Sequence, residues 1–288
     1  MSHLNPLPDP LLHAELAQYF QSLDGTGRVE WRLDEEWPSV AWVRLSNPGK
    51  LNAVSVSMWL QLQKLFQELA ARGPYELRCI VLEGASPAFA AGGDIEEFPM
   101  FRFDPVKLRY FHEHVVNPAL QRMLACDIPV VASIQGACVG GGLELAACCD
   151  IRIASDDARF GAPIAKLGFP MAIDELAVVS SVVGQSLAAE MLLEGRLYAA
   201  REAEAKGIVH RVVANEVLQA EVRHSVQRII EGAPLAARAN KRALRDMRLA
   251  RRVAEQERQA LYAYADSHDH REGLDAFLAK RKPAFIGR

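Results

Sequence analysis

Two glycine turns and one carboxylate offer the most chemistry in this sequence. In "CIVLEGASPAFAAGGDIEEF" (79–98) an apolar run ends at Gly84, and Gly92 and Gly93 stand just before Asp94. In "IPVVASIQGACVGGGLELAACCDIRIAS" (128–155) a second run ends at Gly136, and Gly140, Gly141 and Gly142 open a helical stretch containing Glu144. The first N–H groups of a helix lack internal partners and carry the positive end of its dipole. Two such amides, one from each turn, can converge on a single oxyanion. Glu144 is then a carboxylate placed to move a proton or activate water.

The same residues have a plainer reading. Asp94 suits an N-cap with Glu97 three residues on, and with Gly141 as N-cap Glu144 falls at N3, where glutamate favours helix initiation. Spacing alone favours this capping reading. Other glycine-loop chemistries fit poorly. Neither turn has the G-x-G-x-x-G of dinucleotide sites or the lysine of a phosphate loop, and G-x-S-x-G is absent.

The surrounding elements must hold these turns. Strand-type runs occur at 29–33, 40–45, 79–84, 128–136, 151–155 and 208–213. Helical patterns lie at 11–23, 55–72, 107–126, 174–193, 200–206 and 215–231, and a helix runs from the second glycine turn to about Cys149. Strands alternate with helices to about residue 213 and only helices follow, which argues for an α/β fold with a largely buried sheet. The expected division is an N-terminal extension over 1–28 (arm plus short helix), a core over 29–213 and a helical C-terminal region over 214–288 for a lid or oligomer contacts. Phe98, Phe101, Phe103, Tyr110 and Phe111 suit either a bulky apolar lining or helix core, and core is favoured.

Composition narrows the partners. The chain has 288 residues, half of them hydrophobic, and a formal net charge of −3. That gives no electrostatic case for nucleic acid or an anionic membrane. The five cysteines include an adjacent pair but no C-x-x-C, which fits reduced core thiols and a cytoplasmic setting. The pairs His112/His114 and His268/His270 are two residues apart and do not face each other on a helix, so no metal is expected. No secretory signal and no transmembrane helix is expected.

Beyond these motifs, the chain resembles the enoyl-CoA hydratase/isomerase, or crotonase, superfamily. "LSNPGKLNAVSVSM" (45–58), "SPAFAAGGDIEEF" (86–98), the whole of 128–155, "ARFGAPIAKLGF" (158–169), "GAPLAARANKRAL" (232–244) and "REGLDAFLAKRKPAF" (271–285) resemble family segments in family order. The resemblance implies a crotonase-like spiral of repeated ββα units with C-terminal helices, assembled as a homotrimer or hexamer. It implies an acyl-CoA thioester substrate and no cofactor, since CoA is part of the substrate. Gly93 and Gly141 would polarise the thioester carbonyl, with Glu144 as catalytic carboxylate. Ala91, Asp94 and Ile95 would bind substrate along the same stretch, where it lies against the chain. Lys50 and Ala53 would lie near the nucleotide part of CoA, and Lys280 is a weaker candidate there.

One departure stands out. Family hydratases carry a second glutamate in a segment like "FGxPE", and this chain reads "FGAPIA" with Ile164 at that place. An isoleucine transfers no proton. Downstream, "FPMAIDEL" (169–176) carries Asp174 and Glu175, which suit a helix N-terminus or a substitute acid. Hydration of a 2-enoyl-CoA remains the first expectation because Glu144 is retained. Isomerisation, decarboxylation, thioester hydrolysis, or acyl-CoA binding without catalysis are the alternatives.

Overall fold

The structure is a computed structural model, and it describes residues 10–248 and 267–288. The arm expected over 1–10 therefore lies almost wholly outside the described residues. Helix α1 (Pro10–Ser22) follows it.

Six strands form the main sheet: β1 (Arg28–Leu33), β2 (Val40–Ser46), β3 (Cys79–Gly84), β4 (Val130–Ile134), β6 (Ile151–Ser155) and β9 (Arg211–Val213). They lie in that order, with β1 antiparallel to β2 and every later pair parallel. The β-branched runs of the central strands are buried on both faces, as parallel sheets require. One face of β2, β3 and β4 presents Val43, Leu82 and Ala132 to the core around helix α2 (Val56–Ala70). The other presents Trp42, Val81 and Val131 to helix α9 (Leu218–Ile230).

A second layer, which the ββα units of the resemblance imply, is not visible in the residue pattern itself. Strands β5 (Ala137–Val139), β7 (Arg159–Gly161) and β8 (Leu197–Ala199) form a small sheet. Parallel bridges of Ala90 to Cys138 and Val54 to Gly93 extend the layer. Each turn of the chain thus contributes a strand to the large sheet, a short extended piece to the small one, and a helix. Three-residue strands are too short to show a period of two, which is why they escaped notice.

Other boundaries moved for local reasons. The pattern over 107–126 is α3 (Pro105–Tyr110), a π-helical turn (Phe111–Val116) and α4 (Asn117–Ala125). The pattern over 174–193 divides at Gly184 (φ 79°) into α6 (Ile173–Val183) and α7 (Gln185–Leu193). Helix α5 spans Gly141–Ala147 and stops short of Cys149. After β9 every described element is helical, including α10 (Pro234–Arg248) and a last helix over His268–Leu278. All five cysteines are free and buried. Among the described residues no helix is long and apolar enough to cross a membrane.

Candidate active site

The two glycine turns meet. The loop after β2 is shaped by Leu51 and Asn52 at positive φ and by the buried amides of Asn47 and Asn52. Asn52 Nδ2 donates to the carbonyls of Ala85 and Ala88 at 2.6 and 2.7 Å, tying this loop to the one after β3. Val54 N–H then donates to Gly92 O and Asp94 N–H to Val54 O. The Gly93 N–H between them has no partner among the described residues.

The second turn is held alongside. Val139 N–H donates to Ala90 O, and Gly140 N–H to Gly161 O. Gly140 has φ +51°, and a side chain there would meet Gly92 Cα at 3.5 Å. Gly141 is the first residue of α5, so its N–H has no intrahelical acceptor. Of the three glycines in this turn Gly142 is the most tightly packed, since an added Cβ would lie 2.3 Å from Ala90 O. Gly93 and Gly141 both border a cavity of about 310 Å³.

Glu144 opens into that cavity. Gly140 is the N-cap, so Glu144 falls one residue later than the capping reading required. Its side chain caps nothing, and its oxygens accept no hydrogen bond from a described residue. Burial first, and then the nearby Glu175, push its carboxyl well above the usual carboxylate range; Arg102 acts in the opposite sense.

The cavity also holds the acid that Ile164 leaves out. Ile164 does line it, but so does Glu175, from the first turn of α6. Glu175 is 4% exposed, and its Oε1 lies 2.6 Å from His112 Nδ1. An ionised carboxylate accepts only, so in that state the Nδ1–H of His112 donates. Asp174, its neighbour, points outward and is exposed. Sequence spacing could not separate the two acids; the packing of α6 on α5 does.

The remaining expected residues divide. Ala91 and Ile95 line the cavity. Asp94 is 3% exposed, caps the following 3-10 turn through Glu96 N–H, and accepts from Lys50 Nζ at 2.7 Å. It does not border the cavity itself, and these bonds tie it to the loop after β2. Lys50 also pairs with Glu96 at 2.7 Å, and these partners raise its ammonium above the usual lysine range. Neither Lys50 nor Ala53 borders the cavity; both lie in the loop that supports its rim. Glu97 does not close a capping box with Asp94. Its Oε2 accepts from Val56 N–H at 2.7 Å and caps α2 beside Ser55.

Among the aromatic residues, Phe98 and Phe111 line the cavity, Phe101 and Tyr110 are core, and Phe103 is exposed. Arg102, unmarked by any sequence signal, enters the cavity next to Phe98 and Phe169. Among the described residues no group of three or more His, Cys, Asp or Glu is placed to hold a metal ion.

Comparison with known proteins identifies the family and the fold. The family model described as "Enoyl-CoA hydratase/isomerase" matches residues 35–288. A protein named "Probable enoyl-CoA hydratase" from Rhizobium meliloti is 34% identical over 268 residues, 90% of this chain and 99% of its own length. The "Probable enoyl-CoA hydratase echA8" of Mycobacterium bovis is 32% identical over 253 residues, 86% of this chain and 95% of its own. A crystal structure described as an "enoyl-CoA hydratase/carnithine racemase" from Magnetospirillum magneticum superposes with a TM-score of 0.86 at 40% identity, covering 94% of this chain and 98% of that one. A match this broad in sequence and in fold places the chain in the enoyl-CoA hydratase/isomerase, or crotonase, family of acyl-CoA enzymes.

Proposed function

We propose that this enzyme adds water across the double bond of a 2-enoyl-CoA, and catalyses the reverse dehydration. The observation that carries this reading is that one cavity contains two free amides and two buried carboxyl groups, Glu144 and Glu175. The thioester oxygen sits between the N–H groups of Gly93 and Gly141. Negative charge drawn onto that oxygen leaves Cβ electrophilic, and fixed amide dipoles stabilise it by about 3 kcal/mol per donor.

Hydration needs one group to take a proton and another to give one. The oxygen of water bonds to Cβ while its proton passes to the ionised carboxylate. The electron pair of the double bond moves through Cα to the thioester oxygen. The resulting enolate collapses by taking a proton at Cα from the carboxyl group that holds one. Burial and the nearby Glu175 favour the protonated form of Glu144, which suits it to hold a proton for this step. His112 positions Glu175 and does not touch the reacting atoms in this scheme.

Ile164 leaves isomerisation, decarboxylation and thioester hydrolysis as alternatives on the same scaffold. Glu175 supports hydration instead, because it supplies a second carboxyl to the same space. The exposed apolar side chains of Leu244, Met247, Leu274 and Leu278 support association of the C-terminal helices with further copies, as a trimer or hexamer. Light scattering tests that assembly.

The test of the reaction is incubation with short, medium, branched and aromatic 2-enoyl-CoAs. Loss of the conjugated thioester absorbance and gain of one water by mass are expected. Absence of water addition to any of them overturns the reading, and an unchanged mass with a moved double bond assigns isomerisation.

A further inference from the structure

We infer that Arg102 is a receptor for a carboxylate on the acyl tail, so that the substrate is the CoA thioester of a dicarboxylic acid. This inference rests on the acyl-CoA reading of the cavity and specifies what the acyl group carries.

Arg102 follows the 3-10 turn Ile95–Met100, and its backbone N–H donates to Phe98 O at 2.8 Å. The adjacent Phe101 is buried, which fixes the chain here. The side chain turns into the cavity and rests in the angle between two rings. Its Cζ is 4.1 Å from the centre of Phe98 and 3.8 Å from that of Phe169. Those rings offset part of the cost of taking a cation out of water, but they offer no oxygen.

Among the described residues the guanidinium has no polar partner. Its Nε is buried with no acceptor, and it makes no hydrogen bond or ion pair with a described residue. Glu144 and Glu175 act on it electrostatically without touching it. A half-buried arginine in a cavity is suited to pair its planar N–H edge with a carboxylate, often through two parallel hydrogen bonds. Here the protein supplies the cation, the rings and the cavity, and leaves the in-plane acceptor to the ligand.

Position argues for the acyl tail. A side chain at Gly93 would meet the Phe98 ring at 3.2 Å, and the Arg102 guanidinium lies 4.1 Å from the centre of the same ring. With the thioester oxygen on Gly93, the guanidinium lines the same cavity and is close enough to meet a carboxylate carried on the acyl chain.

Calorimetry with matched unreactive thioesters tests this apart from catalysis. Succinyl-, adipoyl- and suberoyl-CoA are compared with butyryl-, hexanoyl- and octanoyl-CoA. In at least one pair the carboxylate-bearing ligand should bind about tenfold tighter or more, as a charge-assisted bidentate contact allows. Arg102→Gln should collapse that ratio, and Arg102→Lys should retain part of it. Equal or weaker binding of the carboxylate in every wild-type pair overturns the inference and leaves the hydratase reading standing. A ratio that survives Arg102→Gln also overturns it. Failure of every CoA thioester to bind overturns the acyl-CoA reading and this inference together. The wild-type ratio decides the matter even if a variant does not fold.

Discussion

His112 and Glu175, 63 residues apart in the chain, meet at 2.6 Å inside the cavity that Glu144 enters from the other helix. A π-helical turn supplies the histidine and the first turn of α6 supplies the acid. Neither element carries a family-type acid at the place of Ile164. Glu175→Gln should therefore lower kcat for 2-enoyl-CoA hydration by about 10²- to 10⁴-fold, the range of a lost acid–base group. His112→Ala should cost less and should change the pH profile of kcat, because it acts through Glu175. Steady-state kinetics across pH check both. A Glu175→Gln variant with full activity would remove the acid from the mechanism.

Glu144 links catalysis to stability. Burial and Glu175 favour its protonated form. The folded chain then keeps this proton at pH values where the unfolded chain has released it. Stability is unaffected below the unfolded pKa of about 4.3, falls as pH rises from there to the raised folded value, and stays reduced above it. Glu144→Gln should abolish hydration and yet unfold at a higher temperature than wild type at about pH 8, with the gap closing toward about pH 4. Differential scanning calorimetry over this range is the check. An unfolding temperature that is lower at every pH contradicts it.

Gly142 measures how tightly the turns are joined. Its missing Cβ would collide with Ala90 O at 2.3 Å and Ala90 Cβ at 2.9 Å. Gly142→Ala should destabilise the fold by about 1–3 kcal/mol, the usual cost of overpacking. It should also lower kcat more than it changes KM, because the Gly141 amide moves with it. Urea denaturation and kinetics measure the two effects.

Glu97 is buried and accepts from Val56 N–H, so it serves the fold and not the reaction. Burial raises its carboxyl above the usual range, and the Val56 amide works against this. Glu97→Ala leaves that N–H unsatisfied at the start of α2 and should cost about 1–3 kcal/mol. Chemical denaturation shows the loss, and kcat of the remaining folded enzyme should stay close to wild type.

Much of this arrangement was legible from residue order. The β-branched runs gave the central strands, and the two glycine turns with Glu144 were recognisable as a possible oxyanion site. Resemblance then favoured that reading over capping, and the N-cap at Gly140 agrees with it by freeing the Glu144 side chain. The strands of the small sheet were invisible because three residues show no period. Glu175 could be named but not chosen over Asp174, since both suit the first turn of a helix. Its selection depends on which face of α6 packs inward. Arg102 gave no signal, because an arginine after a phenylalanine-rich segment reads as a solvated charge until the rings are seen around it. Asp94, expected from the resemblance to lie along the substrate, is held by Lys50, Asn47 and the Glu96 amide, contacts that no residue spacing announces.

A crystal structure with a bound saturated acyl-CoA tests the central claim most directly. The account predicts the thioester oxygen within about 3.2 Å of both the Gly93 and Gly141 nitrogens, the ordinary N–H···O limit. It also predicts Cα and Cβ lying between the carboxyl groups of Glu144 and Glu175. A thioester oxygen away from those amides, or an acyl chain that leaves Glu175 facing no part of Cα or Cβ, would contradict it.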